Sequence, residues 1–106
     1  MMFDNFLASE TIDEDVRECQ ETPGAILIDV RMPEEYKEGH IPGSKNVPLS
    51  SIQEISVLAD DFELPLFVYC HSGARSSRAV YALKAMGYTN VKNLGGISAY
   101  TGKIEI

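Results

Sequence analysis

Leu66-Phe67-Val68-Tyr69-Cys70-His71-Ser72-Gly73-Ala74-Arg75-Ser76-Ser77-Arg78-Ala79-Val80 is the stretch on which the fold turns. Its first four residues form an apolar run that suits a buried strand and delivers a cysteine to the strand's carboxyl end. A short polar turn with one glycine follows, and then a helical pattern begins at Ser76 and runs to Met86. Ala79, Ala82, Leu83 and Met86 fall on one side, and Gly87 is the stop. In open α/β sheets such a junction binds ligands, because the helix N-terminus turns unpaired N–H groups toward the space beyond the strand ends. Here that space receives Cys70.

A chain of 106 residues is long enough for one domain with its own core, so residues 1–106 are read as a single domain. Hydrophobic content of 44% and charge of 24% are those of an ordinary globular protein, which argues against disorder. A net charge of −7 argues against a nucleic-acid surface, so an anionic substrate must be drawn in by a local positive field. Cys19 and Cys70 are too few for a disulfide framework, and Met1-Met2-Phe3-Asp4-Asn5 lacks the pattern of a signal peptide. The expected location is the reducing cytoplasm. No apolar run approaches the roughly 20 residues of a membrane span.

Strand and helix patterns alternate along the rest of the chain. Residues 3–10 suit a short edge strand. Thr11 to Gln20 reads as a helix with a capping box, Thr11 with Glu14, and Ile12, Val16 and Cys19 on one face. Cys19 is then a small buried residue; its sharper reading is a resolving thiol for Cys70. Ala25 to Val30 is a second buried strand, and Asp29 and Arg31 share one face at its end, either as a structural ion pair or as support for the site. Pro33 to Lys37 suits a helical turn stopped at Gly39, and His40 is a hydrogen-bonded turn residue rather than a metal ligand. Lys45 to Leu49 is a short strand, followed by a helix capped by Ser50 or Ser51 with Ile52, Ile55, Leu58 and Ala59 inward. After the acidic connector at Asp60 and Asp61, the remaining strand is Val91 to Leu94, and residues 95–100 pack back under the sheet. The pattern predicts an α/β domain, a mainly parallel sheet with helices on both faces; it leaves the strand order open.

The turn after Cys70 is suited to lowering the cysteine pKa. Successive N–H groups can curl into an anion nest, Gly73 supplies the conformational freedom, the helix adds its positive end and Arg75 a full charge. Ser72, Ser76 and His71 can add hydrogen bonds. The plain alternative is an inert cysteine ending a strand.

From residue 11 to residue 100 the chain resembles the single-domain rhodaneses. The resemblance lies in Asp29-Val30-Arg31 with Glu35-Tyr36, in Gly39 through Pro48, in the loop Cys70 to Ser76, and in Gly87-Tyr88 through Leu94-Gly95-Gly96. It implies a rhodanese-like domain and a sulfurtransferase of the thiosulfate type. Cys70 would be the nucleophile, carrying sulfane sulfur as a persulfide from a small anionic donor to a thiol, protein or cyanide acceptor. His71, Ser72, Gly73, Ala74, Arg75 and Ser76 would form the substrate cradle, with Asp29 and Arg31 in possible support. The implied chemistry uses no metal or organic cofactor, no nucleic acid and no membrane, and a monomer is the default. Relatives usually carry tryptophan where this chain has Tyr100, which puts in doubt any partner surface they form there.

Three other readings compete. Tyrosine phosphatases also set a cysteine in an anion-binding loop, but their arginine stands six positions on, whereas Arg75 is the fifth residue after Cys70 and Ser76 the sixth. The related cell-cycle phosphatases and arsenate reductases likewise use a loop one residue longer. A non-catalytic rhodanese-like interaction module is a second alternative. The third is a redox sensor resolved by Cys19, which requires the two thiols to meet in disulfide geometry.

Overall fold

The computed structural model describes residues 11–106, so the edge strand expected at residues 3–10 lies outside the described residues. Four strands form one sheet: β1 Ile26–Asp29, β2 Lys45–Asn46, β3 Leu66–Cys70 and β4 Val91–Gly96, in the order β2-β1-β3-β4. All three pairings are parallel, which places every strand's carboxyl end on one edge of the sheet. The helices are α1 Ile12–Glu21, α2 Pro33–Glu38, α3 Ile55–Leu58 and α4 Ala74–Met86. Among the described residues, no helix is long and apolar enough to cross a membrane.

The apolar run of β3 is buried at all five positions and alternates between two cores. Leu66, Val68 and Cys70 pack with Ile52, Ile55, Ala79 and Leu83 on one face; Phe67 and Tyr69 pack with Ile12, Val16 and Cys19 of α1 on the other. Both faces are apolar, so hydrophobicity alone does not fix the register of this strand. Tyr69 fixes it. Its hydroxyl is wholly buried and must be hydrogen-bonded; the Ile41 N–H donates to it at 3.1 Å and Ser44 Oγ lies at 3.1 Å. Slipping β3 by one residue would strand that hydroxyl in the α4 core and turn Cys70 away from the loop.

The capping box of α1 forms as expected, with the Glu14 N–H donating to Thr11 Oγ1 and the Thr11 N–H to Glu14 Oε1. Other expectations need correction. The β2 ladder ends at Asn46 because the Arg31 groups that would carry the next rung are taken: its N–H donates to Asp29 Oδ1 and its carbonyl accepts from Asn46 Nδ2, while the Leu49 N–H turns to the Val30 carbonyl. Neither Ser50 nor Ser51 caps a helix: both lie inside a 3-10 turn, Leu49–Glu54, entered from Pro48 and broken at Ser51 (φ −121°, ψ 28°). The α-helix that follows is four residues long, which leaves Leu58 exposed while Ile52, Ile55 and Ala59 stay buried. β4 runs two residues past Leu94 because a register shift opposite Val68 and Tyr69 lets Gly95 and Gly96 rejoin the ladder.

His40 is hydrogen-bonded, but in an isolated antiparallel bridge to Glu105 rather than in the expected turn, because its N–H and carbonyl both pair with that residue. The His40 Nδ1 lies 2.9 Å from the Tyr36 carbonyl, and its ring stacks on Tyr36 at 3.7 Å.

Candidate active site

Cys70 ends β3 on the α4 side of the sheet, and only His71, Ser72 and Gly73 separate it from α4. The helix begins two residues earlier than its periodicity suggests. Gly73 sits at φ +108° as its N-cap, a left-handed conformation that lets the chain turn from strand to helix within three residues and brings the positive helix end close to the sulfur.

The neighbouring strand makes room for this tight loop. A Cβ at Gly96 would fall on the His71 carbonyl oxygen and lie 2.5 Å from Ser72 Cα, so only glycine lets the loop rest on β4. The Ser98 N–H donates to the same His71 carbonyl at 3.1 Å and pins the loop there.

Around the sulfur, the Gly73 N–H donates to Cys70 Sγ at 3.0 Å and Ser76 Oγ stands 3.5 Å away. Burial pushes the Cys70 thiol up. The Ser76 hydroxyl and the N–H groups of Ser76, Gly73 and Ser72 outweigh burial and leave the thiol below its ordinary value.

Ser76 is fully buried, and its hydroxyl has one proton for several acceptors: Asn93 Oδ1 at 2.7 Å, the Gly73 carbonyl at 3.0 Å and the Gly95 carbonyl at 3.4 Å. With Cys70 protonated, the hydroxyl donates to Asn93 and accepts from the thiol. With Cys70 ionised, rotation about Cβ–Oγ redirects the proton to the sulfur. Asn93 is itself held by the Gly95 N–H at 2.9 Å, across the β4 bulge. Sequence reasoning missed Asn93, although an Asn two residues before a glycine signals such a side-chain turn.

Ser76→Ala should therefore weaken the thiolate. At pH 7, iodoacetamide alkylation of Cys70 is expected to slow on the order of tenfold, the weak end of what a hydrogen bond to a charged group is worth. The midpoint of the rate–pH profile should move upward; an unmoved midpoint would remove Ser76 from this role.

Arg75 has a partner that the sequence reading did not foresee. It forks onto Glu35 of α2, with Nη1 donating to Oε1 at 2.7 Å and Nη2 to Oε2 at 3.0 Å. The Arg75 hydrogen bond holds the Glu35 carboxyl down at about 2. The full charge expected of Arg75 is thus shared with a carboxylate. Asp29 and Arg31 form a buried ion pair at the end of β1: Arg31 Nη2 donates to Asp29 Oδ2 at 2.8 Å and to the Gly39 carbonyl at 2.7 Å. His71, Ser72 and Ala74 are exposed at the mouth.

Cys19 is buried in the α1 core, on the other face of the sheet from Cys70. Burial, with Glu18 adding to it, pushes its thiol up to about 11. The sheet separates the two sulfurs, which removes the support for a resolving role.

Comparison with known proteins places this geometry in a family. Residues 13–103 match the profile of the rhodanese-like domain. The thiosulfate sulfurtransferase PspE of Escherichia coli is 42% identical over 71 residues, covering 66% of this chain and 68% of PspE. The uncharacterized Bacillus subtilis protein YqhL is 42% identical over 83 residues, and the match covers 76% of this chain and 64% of YqhL. A solved structure of a rhodanese with anions from E. coli superimposes with a TM-score of 0.72 at 35% identity, covering 76% of this chain and 96% of that one. A parallel sheet that brings a cysteine to a three-residue turn at a helix N-terminus, and a profile that spans most of the sequence, lead to one conclusion: the chain belongs to the rhodanese-like domain family.

Proposed function

We propose that this single domain is a sulfurtransferase in which Cys70 carries a sulfane sulfur, as a persulfide, from thiosulfate or another persulfide donor to a thiol or cyanide acceptor. The observation that carries this reading is the set of donors around Cys70 Sγ, the Gly73 N–H at 3.0 Å and the Ser76 hydroxyl at 3.5 Å, which favours an anionic sulfur. Kinship to PspE, a thiosulfate sulfurtransferase by name, supports it. The cradle is small: α4 begins four residues after Cys70, which suits one added sulfur better than a tetrahedral oxyanion.

In the first half-reaction the Cys70 thiolate attacks the outer sulfur of thiosulfate. The donor's S–S bond breaks, sulfite leaves with its electron pair, and a new S–S bond forms on Cys70. In the second, a thiolate or cyanide attacks the outer sulfur of the persulfide, and the electron pair of that bond returns to Cys70. Splitting one transfer into two in this way is covalent catalysis. Atoms and charge balance without a metal or organic cofactor. The loop residues His71 to Ser76 cradle the persulfide, with His71 at the mouth where the donor arrives. We place the activity in a monomer in the reducing cytoplasm, with a small thiol or a protein cysteine as acceptor.

The test is the intact mass of reduced protein after brief exposure to thiosulfate. The expected result is a gain of one sulfur atom, lost again on adding cyanide. No gain from thiosulfate or from an organic persulfide, with the protein folded, would overturn the reading.

A further inference from the structure

Two arginines stand at the carboxyl edge of the sheet near Cys70, and both are paired. Arg31 is bound to Asp29 at 2.8 Å, and Arg75 to Glu35 at 2.7 Å. The pairs also act on each other: Glu35 is felt by Arg31, and Arg75 by both Cys70 and Asp29. Together the four charges sum to zero. Arg78, one turn further along α4, is exposed, and its field is weakened by water. The chain as a whole carries −7. The side chains at the mouth therefore add no net positive charge, and the attraction an incoming dianion meets against the global repulsion is left to the loop N–H groups and the α4 N-terminus.

We propose that Glu35 is a specificity-determining residue for the sulfur donor: by cancelling the charge of Arg75 it keeps the side chains of the mouth neutral, favouring organic persulfides, whose persulfide group carries at most one negative charge, over dianions such as thiosulfate. This rests on the sulfurtransferase reading. The step it favours is balanced: the Cys70 thiolate attacks the outer sulfur of the neutral persulfide, the donor's S–S bond breaks, and its electron pair leaves on the inner sulfur as a thiolate. The proton stays on the transferred sulfur.

Glu35 also has a structural duty, since its Oε1 accepts the Met32 N–H at 2.9 Å where α2 begins. Glu35→Gln retains an oxygen for that bond, removes the charge and turns an NH₂ toward Arg75 Nη2, which leaves the Arg75 charge uncancelled. The experiment compares alkylation of Cys70 by iodoacetate, an anion, with alkylation by iodoacetamide, which is neutral. Both reagents consume the thiolate, so the ratio of their rates cancels any change in thiolate fraction and reads the field at the mouth.

Glu35→Gln is expected to raise the iodoacetate-to-iodoacetamide ratio on the order of 3- to 10-fold at low salt, and to lower the KM for thiosulfate by a similar factor, since one unpaired charge a few ångströms away acts through an intermediate dielectric. Raising the salt should shrink both effects. Adding Arg75→Gln to Glu35→Gln makes the mouth neutral again and should return the ratio to the parent value. An unchanged ratio in Glu35→Gln, or a rise that persists in the double variant, would overturn the inference. Failure of the parent to take sulfur from any donor would overturn the sulfurtransferase reading instead, and the alkylation ratio would still decide what the charge of Glu35 does.

Discussion

Cys70→Ser is expected to abolish sulfur uptake from thiosulfate and to lower transfer to cyanide on the order of 10⁴-fold or more, as removal of a covalent nucleophile does elsewhere. The substitution is nearly isosteric. Cys70 is 1% exposed and packs with Val68, Ala79 and Leu83, so a serine there keeps the loop and the Gly73 N–H contact while losing the polarizable sulfur. A hydroxyl in the same nest remains protonated at neutral pH and is a far weaker nucleophile than the thiolate. Cys19→Ser is the matched control. That thiol lies on the other face of the sheet and is pushed up to about 11 by burial, so sulfur uptake should stay within about twofold of the parent once the fold is verified by circular dichroism. Intact mass after thiosulfate treatment reads both variants. Sulfur gained by Cys70→Ser and lost in Cys19→Ser would transfer the nucleophile to the α1 core and end the mechanism proposed for the loop.

What the sequence made legible follows one rule: signals carried within a few neighbouring residues were readable, and those set by distant parts of the chain were not. The buried run ending at Cys70, the capping box of Thr11 and Glu14 and the stop at Gly87 depend on local spacing, and each stands where it was read. The early start of α4 was missed because Ala74 and Arg75 carry no apolar signal, and the helix is fixed there by the left-handed Gly73 and by the β4 backbone against the loop. The failed serine cap has the same origin: Pro48 and the packing of Ile52 and Ile55 impose a 3-10 turn that overrides an acceptable N-cap sequence. Within the site, Cys70, Gly73 and Ser76 were found because they share one loop. Glu35 lies 40 residues from Arg75 and Asn93 lies 17 from Ser76, and nothing in the spacing of either pair announces contact.

The second large effect is expected at Asp29. Asp29→Asn should destabilise the domain by about 3–5 kcal/mol, because it leaves the Arg31 guanidinium buried without its counter-charge. The side chains are 0% and 7% exposed, so water cannot replace the lost carboxylate. Asp29 accepts from the Arg31 N–H at 2.9 Å, from Nε at 3.1 Å and from Nη2 at 2.8 Å, and an asparagine amide would point one NH₂ donor at this array of donors. Partial relief is available through the Gly39 carbonyl, which accepts from Arg31 Nη2 at 2.7 Å; this sets the lower end of the range. Urea unfolding measures the loss. Replacing the pair together, as Asp29→Asn with Arg31→Met, removes the stranded charge and should recover a substantial part of it, since a well-packed apolar group often equals a buried ion pair in stability. The same variants separate the two roles open to this pair. If it is an architectural clamp joining β1 to the Gly39 turn, stability falls while the pH midpoint of Cys70 alkylation in the folded protein stays fixed. A midpoint that moves as far as it does in Ser76→Ala, with little loss of stability, would make Asp29 a supporting residue of the site.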